Sequence, residues 1–585
     1  MLNRRLLLPA LLILTLAGAV GSAQGPAHGT AKRAPGRTSA DVLTRPELTG
    51  YRETSRYDDV MAFMEAMAAA SPQIHLTTYG YTYEGRSLPL AVIGAPAATP
   101  EAVRATGKTR IYIQGNIHAG EVEGKEAALW LLRSIAKGER AAWFRSVVLL
   151  INPIYNADGN EKVNLRNRGR QYGPIGGMGQ RYNAQNLDLN RDCTKLETPE
   201  GRSLAKLLTD YDPHVAVDLH TTNGSPHGYY LTYQTSVSPN TSPGLTALAR
   251  GRLLPFITAQ VKAKHGWDYF YYGNLSRQGE RAWYNDLDLY KPRYTQTYFG
   301  LRNRVGLLVE TYSYASFEDR IKSNYWFLEE LVNFAAANGE AIRSATAAAD
   351  AESIVGRQQA VRGRLVKDPD PVPIVLADSV DERNPYVPDR PMLRRVAGTE
   401  RVETMPHYAT VEAAETSLAP RAYLVPAVPP PAGEKADSGR PPFPGGPPAA
   451  GRGPQPASPF RDNQQMLARI VDRLTAHGVR FHRLESERTV AAEQFRIEAS
   501  TVQEQSWQNM KIREITGSWE ATGAKLPAGS LVVPMDQPLA RLVFVLLDAR
   551  SDDGLMAWGL LDDVLARTPE PAVYPVLRTM TAVPE

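Results

Sequence analysis

The sequence predicts an α/β protein: a mostly parallel, mixed sheet flanked by helices over residues 46–345, followed by a C-terminal α/β accessory domain. Three observations support this. Short apolar runs alternate with helical patterns through the first part of the chain, as strands and crossover helices do. The runs are apolar at successive positions, which suits strands buried on both faces. A strand-and-helix pattern then resumes around a tract holding 11 Pro and 6 Gly at positions 429–459.

Taken in order, Arg4 and Arg5 precede an apolar run from Leu6 to Leu16 and small residues up to Ala23. This describes a secretory signal at 1–23, since a run of that length is too short to cross a bilayer. The expectation is an exported protein, secreted or periplasmic, with no integral membrane segment in the mature chain. Residues 24–45 are small, polar and basic and read as a disordered leader. From Tyr57, apolar residues at Val60, Met61, Phe63, Met64 and Met67 make a helical stripe that ends before Ser71-Pro72. Strands follow at Leu88 to Ile93, Arg110 to Gln114, Val147 to Ile151, Val215 to Leu219 and Gly306 to Val309. Helices cover Glu123 to Ala136, Pro199 to Asp210 and Ile321 to Ala336, the second with Thr198 as N-cap and proline in its first turn.

Residues 346–405 read as a connecting segment and 406–585 as the accessory domain, with 429–459 as a Pro/Gly-rich insertion in it. That domain contains a strand at Ala422 to Val425 and a helix carrying Met466, Leu467, Ile470, Val471 and Leu474 that stops at Gly478. Strands at Val479 to Leu484 and Leu531 to Val533 complete it.

Composition narrows the chemistry. Lys plus Arg is 66 against 62 for Asp plus Glu, a formal charge of +4 that drops by two with Arg4 and Arg5. A balance this even argues against nucleic acid as a partner. Cys193 is the lone cysteine, so intramolecular disulfides and Cys-rich metal modules are excluded. Any metal site must use His, Asp and Glu. Cys193 itself reads as a packed core thiol.

The candidate residues sit where strands end, which is where open α/β sheets gather ligands. After the strand at 110–114 comes His118-Ala119-Gly120-Glu121, which aims an imidazole and a carboxylate at one point; zinc accepts both. The strand at 215–219 ends in Asp218-Leu219-His220. His214 lies six residues back, about 20 Å away at the opposite end of the strand, and is rejected as a ligand. His227, on the next loop, stays open. Glu310 directly follows an apolar strand, a costly place for a carboxylate without a partner or a task; beside a metal it could accept a proton from an attacking water. Asn190 and Arg191 offer an amide and a guanidinium fork suited to a free carboxylate. Arg166, Arg168 and Arg170 add three cations in a nearby loop, of which Arg170 reads as a solvated charge.

The chain resembles the zinc carboxypeptidases, the carboxypeptidase A-like metallopeptidases. The matching residues are His118-Ala119-Gly120-Glu121, Asn190-Arg191, His220 and Glu310, in the family's order, supported by Glu84-Gly85-Arg86 and Asn156-Ala157-Asp158-Gly159. The resemblance covers about residues 50 to 340. It implies one zinc per chain held by His118, Glu121 and His220, with Glu310 as general base. Asn190 and Arg191 would hold the terminal carboxylate of a peptide or protein substrate with a free C-terminus. An upstream arginine would polarise the scissile carbonyl; Arg168 is favoured for this, with Arg166 as its rival and a substrate-binding residue. Tyr290, Tyr294 and Tyr298 all compete for the substrate-capping tyrosine. Two departures stand out: only 29 residues separate Arg191 from His220, and the minimal enzyme has no counterpart to the last 240 residues. Rival readings are a zinc amidase or deacylase acting on acylated amino acids or cell-wall peptides, and a secreted binding protein without catalysis.

Overall fold

A computed structural model describes residues 41–222, 225–276, 278–429, 459–565 and 572–583. The expected signal at 1–23, the leader up to residue 40 and most of the Pro/Gly insertion lie outside the described residues. The central sheet has eight strands in the spatial order Ile74–Tyr81, Ser87–Ile93, Val147–Asn152, Thr109–Gly115, Val215–Thr222, Val305–Tyr312, Leu231–Thr235 and Tyr269–Tyr271. Its middle is parallel: the strand at 109–115 runs with both neighbours, and 305–312 runs with 215–222. Antiparallel pairings at 74–81 with 87–93, 87–93 with 147–152, and 231–235 with 305–312 make it mixed.

Successive residues of the central strands enter different cores, as a period of two requires. Ile111, Ile113, Val147, Leu149, Val215, Val217, Val305 and Leu307 pack with helices Tyr57–Ala70, Glu123–Ala136 and Phe317–Ala351. Tyr112, Val148, Leu150 and Ala216 face the other way, onto Pro199–Tyr211 and Thr295–Leu301. This explains why the runs are mostly apolar on both faces: neither face meets water.

The second core does not stop at residue 345. It takes in Ile470 and Leu474 from helix Pro459–His477, the seven apolar residues of helix Ala540–Leu547, and Trp558. Cys193 belongs to this cluster, buried at 2% exposure, as a core thiol should be.

Several elements differ from expectation: strands Ile74–Tyr81, Leu231–Thr235 and Tyr269–Tyr271 join the central sheet without an expected counterpart, and the expected connecting segment 346–405 contains paired strands. The helix predicted to end at Ala336 continues to Ala351 through one non-helical residue, Asn338, because Ile342, Thr346 and Ala349 go on burying beyond it. The strand predicted at Val479 to Leu484 pairs only over His482–Arg483. Between 358 and 418 the chain forms antiparallel ribbons: Gln358–Val366 with Thr410–Leu418, Val372–Leu376 with Arg401–Met405, and Ser379–Glu382 with Met392–Arg395. A six-stranded antiparallel sheet follows, ordered His482–Arg483, Leu531–Pro534, Ala422–Val425, Leu577–Thr579, Arg488–Val502 and Arg513–Leu526. Its last two strands form a long hairpin whose mostly exposed polar residues leave little apolar pattern to read.

Candidate metal centre

The turn after strand Thr109–Gly115 is made possible by Asn116, whose φ of 67° lies in the left-handed region that Asn tolerates. Asn156 braces it, donating to the Ile117 carbonyl at 3.1 Å while accepting from Gly159 N at 2.9 Å. Asp158, in the same motif, accepts from Arg86, Thr82 and the Glu84 amide. The two supporting motifs of the sequence thus meet each other beneath the site. Gly120 must lack a side chain, because a Cβ there would stand 2.8 Å from Arg168 Cδ and 2.9 Å from the Gly179 carbonyl.

His118, Glu121 and His220 converge, with their ligand atoms within 4.8 Å of one another, and all three are buried. His118 Nδ1 lies 3.0 Å from Glu121 Oε1, His220 Nδ1 2.9 Å from Glu121 Oε2, and the two Nδ1 atoms 3.2 Å apart. The opposite ring nitrogens are committed elsewhere. His118 Nε2 meets Asp188 Oδ1 at 3.0 Å, and His220 Nε2 meets Asp218 Oδ2 at 2.8 Å. A carboxylate on the far nitrogen fixes the tautomer and leaves Nδ1 as a free donor, the arrangement that orients metal-binding imidazoles. Two nitrogens and a carboxylate so held fit zinc.

Charges balance around these donors. Burial alone would raise the Glu121 carboxyl, but His118 and Arg168 outweigh it and hold it well below the carboxylate range. Asp188 is likewise held low against burial by His118, Arg191 and Arg181. Burial would lower the His220 ring, yet Asp218 and Glu121 raise it well above its ordinary value.

Glu310 stands beside His220 in parallel register, so the two side chains share one face of the sheet about 5 Å apart. Burial among these groups pushes its carboxyl up to about 8. Glu310 also lines a cavity of about 840 Å³ together with His118, Glu121, His220, Asn190, Arg191, Tyr272, Tyr294 and Leu308.

The remaining candidates divide. Arg191 lines the cavity, with its guanidinium 4.1 Å from the Tyr294 ring centre. Asn190 is also on the wall, but its Oδ1 accepts from Thr295 N and its Nδ2 approaches His220 Nε2 at 3.5 Å. Arg168 reaches Glu121 Oε1 at 2.8 Å and the Thr221 carbonyl at 2.7 Å. Arg166 is not brought to the site: it is exposed and paired with Asp389 at 3.0 Å, because its loop turns outward there. Arg181, not Arg166 or Arg168, joins Arg191 on the cavity wall, bonded to Asp188 Oδ2 at 2.9 Å and 3.8 Å from Glu121 Oε1. Of the three tyrosines, only Tyr294 lines the cavity; Tyr290 bonds Asp552 and Tyr298 bonds His477.

His214 lies at the far end of its strand, accepting from the Arg110 amide at 3.0 Å, and His227 packs among Tyr229, Trp283 and Tyr312; neither joins the metal group. Asp188, Asp218 and Arg181 were not singled out in the sequence. Asp218 had a usable signal, since a residue two before His220 on a strand shares its face. Arg281, Leu376 and Arg401 also line the cavity, the last two carried there by the ribbon after residue 345.

Residues 60–240 match the family model described as zinc carboxypeptidase. Among relatives, it is 28% identical over 196 residues to carboxypeptidase 2 of Trichophyton rubrum, covering 33% of each chain. It is 32% identical over 149 residues to carboxypeptidase D of Mus musculus, covering 22% of this chain and 10% of that one. The chain thus spans about a third of the first of these relatives and a tenth of the second. Among solved structures, a metallo-carboxypeptidase from Burkholderia cenocepacia aligns at 18% identity and a TM-score of 0.38, over 50% of this chain and 71% of that one. Bovine thrombin-activatable fibrinolysis inhibitor aligns at 14% identity and a TM-score of 0.36, over 49% and 99%. The likeness to the family rests on the sequence match over residues 60–240. Among the described residues, no helix is long and apolar enough to cross a membrane.

Proposed function

We propose that this protein is an exported zinc metallocarboxypeptidase that removes C-terminal residues from peptides or proteins. The observation that carries the reading is the convergence of His118 Nδ1, His220 Nδ1 and the Glu121 carboxylate beside Glu310, on the wall of one cavity. Zinc, when bound by these three, would supply Lewis acidity toward a peptide carbonyl. Glu310 is placed to accept the proton of an attacking water and return it to the departing amine. A carboxyl whose pKa lies near neutrality suits both halves of that transfer. Arg191 on the wall supports recognition of a terminal carboxylate by a charge-assisted fork, with Tyr294 holding its guanidinium face. Arg181 also faces the cavity and offers a cation to the developing oxyanion. Arg168 acts differently, bracing Glu121 from behind.

The test is hydrolysis of matched peptides with free and amidated C-termini by full-length protein, with and without a chelator. Stepwise release of C-terminal residues, abolished by chelation and restored by zinc, is the expected result. Equal rates on free and amidated peptides would instead indicate an amidase or an endo-acting enzyme.

A further inference from the structure

The long C-terminal hairpin runs beyond its paired strands to a tip at Trp507-Gln508-Asn509-Met510. Trp507 and Met510 bond to each other in both directions, at 2.7 and 3.0 Å, leaving Gln508 and Asn509 as a two-residue turn. Their φ angles are 53° and 61°, both left-handed. Asn tolerates that state; a Gln in it is unusual, because only residues with a short polar side chain, or none, occupy it readily. A residue kept in such a conformation is held there by something outside itself.

The Gln508 contact lies in the metal centre's support. Its Oε1 accepts the backbone N–H of Asp188 at 2.8 Å. Asp188 is the residue whose Oδ1 holds His118 Nε2, and whose Oδ1 also accepts from Asn190 N at 2.9 Å. The tip is clamped sideways as well. The Trp507 ring stacks on Trp558 at 5.5 Å and 14°. The Arg293 guanidinium lies 4.9 and 4.7 Å from the two ring centres while its Nε bonds Asp553 at 2.6 Å. The hairpin is therefore seated against the catalytic half at a defined position.

We propose that Gln508 is a positioning residue for the metal centre. It fixes the Asp188 peptide, Asp188 fixes the His118 ring, and the C-terminal hairpin is thereby a working part of the site. This rests on the zinc reading above. Groups that orient a metal-binding imidazole typically contribute about 10- to 100-fold to metal affinity, and Gln508 acts one bond further out.

The experiment measures zinc affinity by competition with a chromophoric chelator, and the melting temperature of the metal-free full chain. Gln508→Leu removes the acceptor; Gln508→Gly removes it and relieves the left-handed backbone. Both should raise the zinc Kd about tenfold, while Gln508→Gly keeps the parental melting temperature or exceeds it. Asn509→Gly, which loosens the tip but leaves the Gln508 bond, should bind zinc like the parent. Should Gln508→Leu fail to fold, Gln508→Gly decides. An unchanged Kd on loss of the Gln508 acceptor overturns the proposal, as does an equal loss in Asn509→Gly. A parent that binds no zinc overturns the zinc reading itself; a parent that binds it no better than Gln508→Gly overturns only the role of Gln508.

Discussion

Asp218 and His220 stand two residues apart on one strand and so on one face of the sheet, with Asp218 Oδ2 2.8 Å from His220 Nε2. The bond decides which ring nitrogen carries hydrogen. With Nε2–H donating to the carboxylate, the Nδ1 lone pair is left facing Glu121 and His118. Asp218→Asn weakens that orientation while keeping side-chain volume, and should raise the zinc Kd about 10- to 100-fold. Titration of the metal-free protein with zinc measures it directly.

Glu310→Gln should separate metal binding from turnover. The proposed ligand set is untouched, so zinc content by elemental analysis should match the parent's. The amide cannot take a proton, and kcat should fall about 10²- to 10⁴-fold. A variant hydrolysing peptides at the parental rate would remove Glu310 from the mechanism.

Arg191 and Arg166 are to be compared directly. Arg191→Ala removes one cation from the cavity wall, and KM for peptides with a free C-terminus should rise by about 10- to 100-fold, the usual value of a charge-assisted bond. Arg166→Ala breaks an exposed ion pair with Asp389 and should leave KM and kcat unchanged. Steady-state kinetics on one peptide series checks both.

Acid should loosen the junction between the halves of the chain. His477 is buried with Nδ1 on the Tyr298 hydroxyl at 2.8 Å and Nε2 on the Thr194 carbonyl at 3.0 Å. Burial and the nearby Arg302 push its pKa down to about 3. Above pH 6.5 the ring is neutral whether folded or not, and its contribution to stability is intact. As pH falls from 6.5 toward 3 the unfolded chain takes a proton that the folded chain refuses, costing about 1.4 kcal/mol per pH unit. His477→Gln should lose stability near neutrality, and the gap to the parent should narrow steadily on acidification. Denaturant melts at several pH values measure that gap.

The middle of the central sheet was legible because its strands are buried on both faces and mostly apolar, and helix Glu123–Ala136 matched its expected limits, whereas strands Ile74–Tyr81, Leu231–Thr235 and Tyr269–Tyr271 were missed. The candidate metal group was legible because His118 and Glu121 lie in the turn after strand Thr109–Gly115 and His220 lies near the carboxyl end of strand Val215–Thr222. The supporting shell was not, because Asp188 and Arg181 reach the site through a loop with no periodicity, and Gln508 arrives from more than 300 residues away. Arg166 and Arg168 look alike in sequence; only the direction of their loop separates the surface from Glu121.

Every residue of helix Ala540–Leu547 is buried, and its aliphatic side chains help close the core over the central sheet. Cutting the chain after residue 345 would therefore strip an oily surface bare and leave behind a fragment prone to clump. Neither part of the chain can be trimmed away without uncovering the core of the other.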